Sequence, residues 1–249
     1  TRTISSAASD VYKRQLQGRI RPLQHQDIKE AGLNIVCTRS AAQKMNTEYL
    51  QQLPGELTSI QATSYKSNQK KFKPPLHKDG VSIGTTGFIN ELNLKVGAKV
   101  MLVWNVDTPD CLTNGQTGVL QDIIKNTDDH VDHLIIKFDR EEAGRDARSK
   151  HPQLALSHPG GTKIERLLYT YSLNKQGGGA SATLIQFPIR LAKAVTAHKV
   201  QGLTVYKPNT ITVDLNSVFE AALAYVSMGR VQSIEQLFIV DNGQGLNPK

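Results

Sequence analysis

The residues best suited to chemistry lie between Ala194 and Thr204, in the stretch AVTAHKVQGLT. Thr196, His198 and Lys199 place a hydroxyl, an imidazole and an ammonium group within about one helical turn. The stretch continues with Gln201, Gly202 and Thr204. Such side chains can bind phosphate oxygens, and a glycine lets the backbone approach a ligand closely. The alternative interpretation is a polar helix end that binds nothing.

A lone arginine, Arg230, follows in a second stretch, AYVSMGRV, close to Met228 and Val231. An arginine on an apolar segment either forms a structural ion pair or faces developing negative charge. In phosphoryl transfer, an arginine of the second kind contributes about 10^3 to 10^5 in rate. Both interpretations remain open for Arg230 taken alone.

Alternating helix and strand patterns surround these two stretches. The runs LNIVCT, TITVDL and QLFIVD predict buried strands. Ser40 and Gln43 have the spacing of a capping box and predict a helix that begins there. The spacing of Leu191, Ala194, Val195 and His198 predicts another helix, and VFEAALAYVSMGRV predicts a third. Such alternation is typical of a parallel α/β layer.

The middle of the chain has strand patterns without helix patterns. Apolar residues from Val100 to Trp104, an Asn114-Gly115 turn, and the runs HLIIKFD and ATLIQFP indicate a small β-barrel. We predict an α/β domain over residues 33–103 and 187–249, interrupted by a barrel over residues 104–186. Residues 1–32 are a lead-in that we expect to be disordered, and residues 1–15 resemble a translated cloning adaptor.

The amino-acid composition limits the kinds of partner that we expect. The net charge of +8 favours an acidic partner such as nucleic acid. Two distant cysteines, Cys37 and Cys111, suit a reducing compartment, and the chain has neither a membrane-length apolar run nor a signal-peptide core. We therefore expect an intracellular protein that has no membrane partner. His130 and His133 lie in a run of aspartates that we interpret as a polar loop, so we predict no metal site. Tyr169 and Tyr171 either stack on bases or pack within a sheet.

Four segments together resemble a known family. IVCTRSAAQKMN, LNLKVGAKVMLVWNVDTPDCLTNGQTGVL, FPIRLAKAVTAHKVQGLTV and FEAALAYVSMGRVQSIEQLFIV are similar to the C-terminal half of PIF-type superfamily 1 DNA helicases, the branch related to RecD. The resemblance runs from about Leu33 to Val240. It implies an α/β fold, in which a RecA-like domain 2A is interrupted by an inserted SH3-like barrel, domain 2B.

The resemblance also assigns roles to single residues. Ala194–Thr204 resembles helicase motif V, which implies DNA contacts at Thr196, His198 and Lys199 and ATP contacts at Gln201, Gly202 and Thr204. The stretch Tyr225–Arg230 resembles motif VI, with Arg230 as the arginine finger. Thr38–Asn46 resembles motif IV, with Arg39 as a second phosphate contact. The chain departs from the family pattern at Lys193, Val200 and Gly229, and a glycine within a helix would cost about 0.5 to 1 kcal/mol relative to alanine.

The implied function is ATP-dependent, 5′ to 3′ unwinding of DNA, by a monomer that acts on single-stranded and forked duplex DNA with ATP and Mg²⁺. The implied setting is DNA repair, recombination or telomere maintenance in the nucleus, with the mitochondrion as the alternative. No G-x-x-x-x-G-K-[ST] motif occurs in the 249 residues. We therefore expect ATP and Mg²⁺ to be held mainly by an upstream domain, and this chain alone to be inactive. The alternative is a non-catalytic nucleic-acid-binding module or a decayed helicase copy.

Overall fold

The computed structural model describes residues 18–21, 32–66, 70–71, 76, 82–83, 87–172, 181–200, 203–214 and 227–240. The chain divides into two compact units. Unit 1 comprises residues 1–46 and 193–249, and unit 2 comprises residues 47–192. The predicted disorder of residues 1–15, and most of the helix predicted before Arg230, lie outside the described residues.

The described strands, in chain order, are β1 (Ile20–Arg21), β2 (Leu33–Val36), β3 (Thr58–Gln61), β4 (Thr63–Lys66), β5 (Glu91–Leu94), β6 (Lys99–Leu102), β7 (Thr117–Lys125), β8 (Val131–Phe138), β9 (Gly161–Ile164), β10 (Leu167–Ser172), β11 (Ser181–Gln186), β12 (Ile189–Leu191), β13 (Ala194–Thr196), β14 (Ile211–Asp214) and β15 (Leu237–Val240). The described α-helices are α1 (Arg39–Gln52), α2 (Arg145–Ser149) and α3 (Leu154–Ser157), and short 3-10 helices occupy Ala197–Val200 and Ile234–Gln236.

Unit 1 contains a parallel five-stranded sheet with the order β1-β15-β14-β2-β13. All four residues of β2 are buried, as are three of the four residues in both β14 and β15. This burial is typical of a parallel sheet with covered faces, and it confirms the strands predicted from the three apolar runs. The lead-in is not wholly disordered, because Ile20 and Arg21 pair with Ile239 and Val240.

Helix α1 begins one residue earlier than its predicted cap. The Thr38 hydroxyl accepts a hydrogen bond from the Ala41 N–H at 3.2 Å, which is the bond expected of an N-cap side chain. Ser40 lies inside the first turn, so the predicted capping box at Ser40 and Gln43 is wrong. The helix packs Ala41, Ala42 and Met45 into a small apolar cluster with Val36 and Ala194.

The helix predicted around Leu191–His198 is also wrong. This segment forms two short strands, β12 and β13, followed by the 3-10 helix Ala197–Val200. Strand β13 pairs in parallel with Asn34–Val36 of β2. Because the β-branched residues Val195 and Thr196 favour strands, pairing with β2 prevails over the helical spacing of the apolar residues.

Unit 2 consists mainly of antiparallel strands in three sheets, with the orders β12-β6-β7-β8-β9, β10-β11-β4 and β3-β5. Strand β6 is buried as predicted, but it pairs with β7 and β12. The pairings of β3 to β6 explain why the unit boundaries, after Asn46 and before Lys193, differ from the predicted boundaries at residues 104 and 186. The Asn114-Gly115 turn lies between β6 and β7, with Gly115 at a φ of 93°.

A buried glutamine joins three segments within unit 2. Gln186 is 0% exposed. Its Nε2 donates hydrogen bonds to the carbonyl oxygens of Ile60, at 3.2 Å, and Ile89, at 3.0 Å. Its Oε1 accepts a hydrogen bond from the Phe187 N–H at 2.9 Å. The carboxamide thus satisfies three backbone groups inside an apolar core, where an unpaired polar group would be costly.

Among the described residues, none of the helices combines the length and the apolar character needed to cross a membrane. In the same part of the chain, no group of three or more His, Cys, Asp or Glu side chains could hold a metal ion. His133 instead lies 2.7 Å from its neighbour Asp132. The aromatic rings of Tyr169 and Tyr171 pack with Phe88 and Trp104 in unit 2.

Candidate functional site

The first group of predicted site residues lies at the carboxyl ends of two neighbouring strands. Thr196, the last residue of β13, pairs with Val36, the last residue of β2. Arg39 follows β2 by three residues and begins α1. The carboxyl edge is where open α/β sheets bind their ligands, and the amino end of a helix favours an anion. Thr196 is partly buried and Arg39 is exposed, so both are placed to meet a ligand from solvent.

The 3-10 helix after β13 presents His198 and Lys199 to solvent. Its other two residues, Ala197 and Val200, are 3% and 0% exposed and anchor it in the protein. His198 and Lys199 are therefore exposed on a short element whose position is fixed by buried neighbours. They lie in a 3-10 helix and not in the α-helix that the sequence predicted for this segment.

A buried asparagine fixes the strand that carries Thr196. Asn46 is 7% exposed. Its Nδ2 donates to the Ala194 carbonyl oxygen and its Oδ1 accepts from the Ala194 N–H, both at 2.8 Å. The paired bonds hold α1 against β13, and therefore fix the start of the polar segment relative to Arg39.

The second group contains Thr204 and Arg230. Leu203 and Val205 are buried and Thr204 between them is exposed, whereas Gln201 and Gly202 lie outside the described residues. The Val205 N–H donates to the Arg230 carbonyl oxygen at 2.8 Å, and Val205 pairs in parallel with Val231. The structure thus brings the segments of Thr204 and Arg230 side by side.

Arg230 lies in a turn and not in a helix. Ser227 and Met228 are helical, Gly229 and Arg230 form the turn, and the Arg230 N–H donates to the Ser227 carbonyl oxygen at 3.3 Å. Gly229 therefore does not impose the helix penalty that its position in the sequence suggested. The Arg230 side chain is partly exposed at the end of this turn.

Gln236, which no predicted motif includes, is 3% exposed and bonds to both segments of the second group. Its Nε2 donates to the carbonyl oxygens of Val205, at 3.2 Å, and Asn209, at 2.7 Å. Its Oε1 accepts from the N–H groups of Gln232 and Ser233, both at 3.1 Å. A sequence signal existed, because Ser233 and Gln236 have the spacing of a capping box, which the structure forms.

One acidic side chain lies in this loop. The Ser233 hydroxyl donates to the Glu235 carboxylate and holds the pKa of Glu235 below its usual value, with a smaller contribution from the positive charge of Lys207. Glu235 is therefore ionised at neutral pH, in the first turn of the 3-10 helix, where a negative charge is favourable.

The known proteins that this chain resembles are helicases of one family. Residues 82–122 match the family model for the 2B domain of the DNA helicase Pif1. The ATP-dependent DNA helicase PIF1 of Xenopus laevis is 30% identical over 213 residues, which are 83% of this chain and 28% of that protein.

Two solved structures share the fold. The Pif1 helicase from Bacteroides in complex with ADP-AlF3 and single-stranded DNA has a TM-score of 0.58 and 19% identity, over 97% of this chain and 48% of that one. A structure that describes unwinding at forked double-stranded DNA by two coordinating Pif1 helicases has a TM-score of 0.56 and 22% identity, over 97% of this chain and 46% of that one.

The chain thus spans 28% of the frog protein and just under half of each solved chain. Both solved structures are consistent with the RecA-like helicase fold that the resemblance implied. The family model and the named relatives confirm the resemblance drawn from the sequence. The chain is therefore a relative of the PIF-type DNA helicases.

Proposed function

We propose that this chain provides the motif V and motif VI part of an ATP-dependent DNA helicase that moves 5′ to 3′ on single-stranded DNA. The observation that carries the proposal is the hydrogen bond from the Val205 N–H to the Arg230 carbonyl oxygen. It joins the segment of Thr204, which faces ATP in the proposed enzyme, to the segment of the arginine finger. A contact of this kind lets a change at the nucleotide alter the segment that leads to DNA.

The DNA contacts in this proposal are Thr196, His198 and Lys199, whereas Arg39 would be a second contact to the phosphates of ATP. Three features support them: the exposure of His198 and Lys199, their position at the carboxyl edge of the sheet, and the net charge of +8. Single-stranded DNA and forked duplex DNA are the proposed substrates. The protein would act as a monomer in DNA repair, recombination or telomere maintenance, in the nucleus or the mitochondrion.

The proposed role of Arg230 is to neutralise negative charge as the γ-phosphate is transferred to water. Gln201, Gly202 and Thr204 would bind ATP from the same side. The described residues contain no group of three or more His, Cys, Asp or Glu side chains that could hold a metal ion, so Mg²⁺ would be held mainly by the P-loop domain. The phosphate-binding lysine would come from a P-loop domain, because no P-loop motif occurs in the 249 residues. Alone, these residues would not hydrolyse ATP.

We also propose that unit 1 is helicase domain 2A and that unit 2 contains the SH3-like barrel of domain 2B. The match of residues 82–122 to the 2B family model supports this division, since all of them lie in unit 2. The antiparallel sheet β12-β6-β7-β8-β9 is the candidate for the barrel.

The test measures phosphate release by two proteins, the 249-residue chain alone and the protein in which this chain is joined to a P-loop domain. We expect hydrolysis stimulated by single-stranded DNA only in the second protein, and its loss in Arg230→Ala. Hydrolysis by the chain alone would contradict the proposed inactivity. Full hydrolysis by the Arg230→Ala variant of the joined protein would overturn the role of Arg230.

A non-catalytic nucleic-acid-binding module is the second candidate function, and the net charge of +8 favours it. It would bind single-stranded DNA through phosphate contacts, with an affinity that falls as salt rises. The two candidates differ in the joined protein, since a binding module would show no hydrolysis there while it retained salt-sensitive binding.

A further inference from the structure

The chemistry proposed for Arg230 depends on where its backbone is held, because a guanidinium must lie close to the phosphate oxygen that it neutralises. Arg230 belongs to a turn outside regular secondary structure, and the Val205 N–H, in the segment of Thr204, donates to its carbonyl oxygen. Two further contacts join the same segments, because Val205 pairs in parallel with Val231 and the Lys207 N–H donates to the Gln232 Oε1 at 3.2 Å. Bonds from a buried side chain to both segments would restrict the turn further.

Gln236 supplies these bonds. On one side of the contact, its Nε2 donates to the carbonyl oxygens of Val205 and Asn209, at 3.2 and 2.7 Å. On the other side, its Oε1 accepts from the N–H groups of Gln232 and Ser233, the second and third residues after Arg230, both at 3.1 Å. One carboxamide therefore fixes both segments to each other.

Burial makes this arrangement specific for glutamine. Gln236 is 3% exposed, so water cannot readily replace its two donated bonds. A glutamate could still accept from the loop, but in its ionised form it would face the Val205 and Asn209 carbonyl oxygens without a proton to donate. A methionine would fill a similar volume and make none of the four bonds.

We propose that Gln236 is a positioning residue for ATP hydrolysis, which holds the turn of Arg230 against the segment of Thr204 through its side-chain amide. Gln236 does not contact ATP itself in this mechanism. The inference rests on the proposed function, since it needs Arg230 to act on the γ-phosphate. It adds a residue that lies six positions after the arginine and belongs to no predicted motif.

The main experiment compares three variants of the protein in which this chain is joined to a P-loop domain: Gln236→Met, Gln186→Met and Arg230→Ala. Gln186 is the matched control, since it is an equally buried glutamine with paired bonds in unit 2. Each variant is assayed well below its own unfolding temperature. We expect Gln236→Met to lower kcat for ATP by about 10- to 100-fold, because small displacements of a reacting group cost this much.

In the same variant, kcat should fall by a larger factor than the KM for ATP rises, because Arg230 acts on charge that develops in the transition state. The affinity for single-stranded DNA should stay within about twofold of wild type. Gln186→Met should leave kcat unchanged in the folded protein. A Gln236→Met enzyme with wild-type kcat, beside an inactive Arg230→Ala enzyme, would overturn the positioning role and leave the proposed function intact. Full activity in Arg230→Ala would instead overturn the proposed function.

A second variant covers the case in which Gln236→Met does not fold. In Gln236→Glu, the protonated acid can donate one of the two lost bonds, and the ionised acid can donate none. We therefore expect the ratio of its kcat to that of wild type to rise as pH falls from 8 to 6. A Gln236→Glu enzyme whose kcat equals that of wild type throughout this range would contradict the proposal.

A direct readout is available in the 249-residue chain itself. Hydrogen exchange at the Val205 amide reports the bond to the Arg230 carbonyl oxygen. We expect Gln236→Glu at pH 8 to speed this exchange about tenfold or more relative to the amides of β14, whereas Gln186→Met should not. Equal exchange at Val205 in wild type and Gln236→Glu would count against the proposal.

Discussion

Gln186 in unit 2 and Gln236 in unit 1 make nearly the same hydrogen bonds for different purposes. Each is almost fully buried and donates from Nε2 to two backbone carbonyl oxygens. Gln186 joins Ile60, Ile89 and Phe187 at the centre of an apolar core. Gln236 joins two segments that carry the predicted site residues Thr204 and Arg230.

The difference shows that the chemistry of a buried side chain does not reveal its role. A buried amide between irregular segments fixes them wherever it occurs, because unpaired carbonyl and N–H groups are costly inside a protein. The segments that it joins decide the consequence. In unit 2 the consequence is stability, and in unit 1 it extends to the geometry of the proposed site.

The largest expected effect is on ATP hydrolysis, which should depend on an arginine of unit 1 and not on one of unit 2. Arg230→Ala in unit 1 should lower ATP hydrolysis by the P-loop-containing protein by about 10^3-fold or more, as loss of an arginine finger does. Arg145→Ala, which removes an exposed arginine from α2 in unit 2, should leave hydrolysis within about twofold of wild type. Steady-state phosphate release measures both variants. Similar losses of ATP hydrolysis in both would contradict the specific role of Arg230 in unit 1.

Replacing each glutamine by leucine shows how much its hydrogen bonds contribute to the free energy of unfolding. Gln186→Leu should lower the free energy of unfolding by about 3 kcal/mol, since it leaves two carbonyl oxygens and an N–H group unpaired. Gln236→Leu should cost less, about 2 kcal/mol, because Gln232 is exposed and Asn209 and Ser233 are partly exposed, so their backbone groups can bond to water. Urea unfolding measures both changes.

The control for this pair is Gln51→Leu, at an exposed position of α1, which should change the free energy by less than about 0.5 kcal/mol. The single tryptophan, Trp104, lies in unit 2, so its fluorescence follows that unit. If Gln186→Leu unfolded at the wild-type urea concentration, the structural role of the Gln186 amide would be wrong.

A smaller effect is expected for DNA binding. Lys199→Ala should weaken binding of single-stranded DNA by about 1 kcal/mol and reduce the salt slope by about one unit, as loss of one phosphate contact does. Lys150→Ala, at an exposed position in unit 2, is the charge-matched control. Fluorescence anisotropy at several salt concentrations measures both. Equal losses would mean that binding depends on net charge alone.

The smallest expected effect concerns Tyr49 in unit 2. Burial raises the pKa of its hydroxyl above 10.0, against a smaller opposing effect of the hydrogen bond from the Lys99 N–H. Because the folded protein holds this proton more tightly than the unfolded chain, the stabilisation is complete below pH 10 and is lost as pH rises further. Thermal unfolding between pH 9 and 11 should show a steeper decline in wild type than in Tyr49→Phe, and equal slopes would refute this.

The sequence predicted best where burial decides structure. The three apolar runs became strands of the parallel sheet because each is covered on both faces. It failed at Leu191–His198, where apolar spacing fits a helix and short strands equally well. The pairing of β13 with β2 and Asn46, both far away in sequence, decided that segment. No local pattern contains such information.

The candidate site could be predicted only in part, because some of its contacts join residues that are far apart in the sequence. The types and spacing of Thr196, His198, Lys199 and Arg230 were visible in the sequence, and so was the capping spacing of Ser233 and Gln236. What could not be read is that Gln236 reaches back 31 positions to Val205. The contact depends on how β14 and β15 lie beside each other, which is a property of the folded sheet.

The Asn46 side chain has a further consequence for solubility. Strand β13 is the last strand in the described order of its sheet, and an open strand edge can recruit a strand from another molecule. The amide of Asn46 occupies both the N–H and the carbonyl oxygen of Ala194, as a neighbouring strand would. It thereby removes two bonding positions from the edge and protects the sheet against intermolecular strand addition and aggregation.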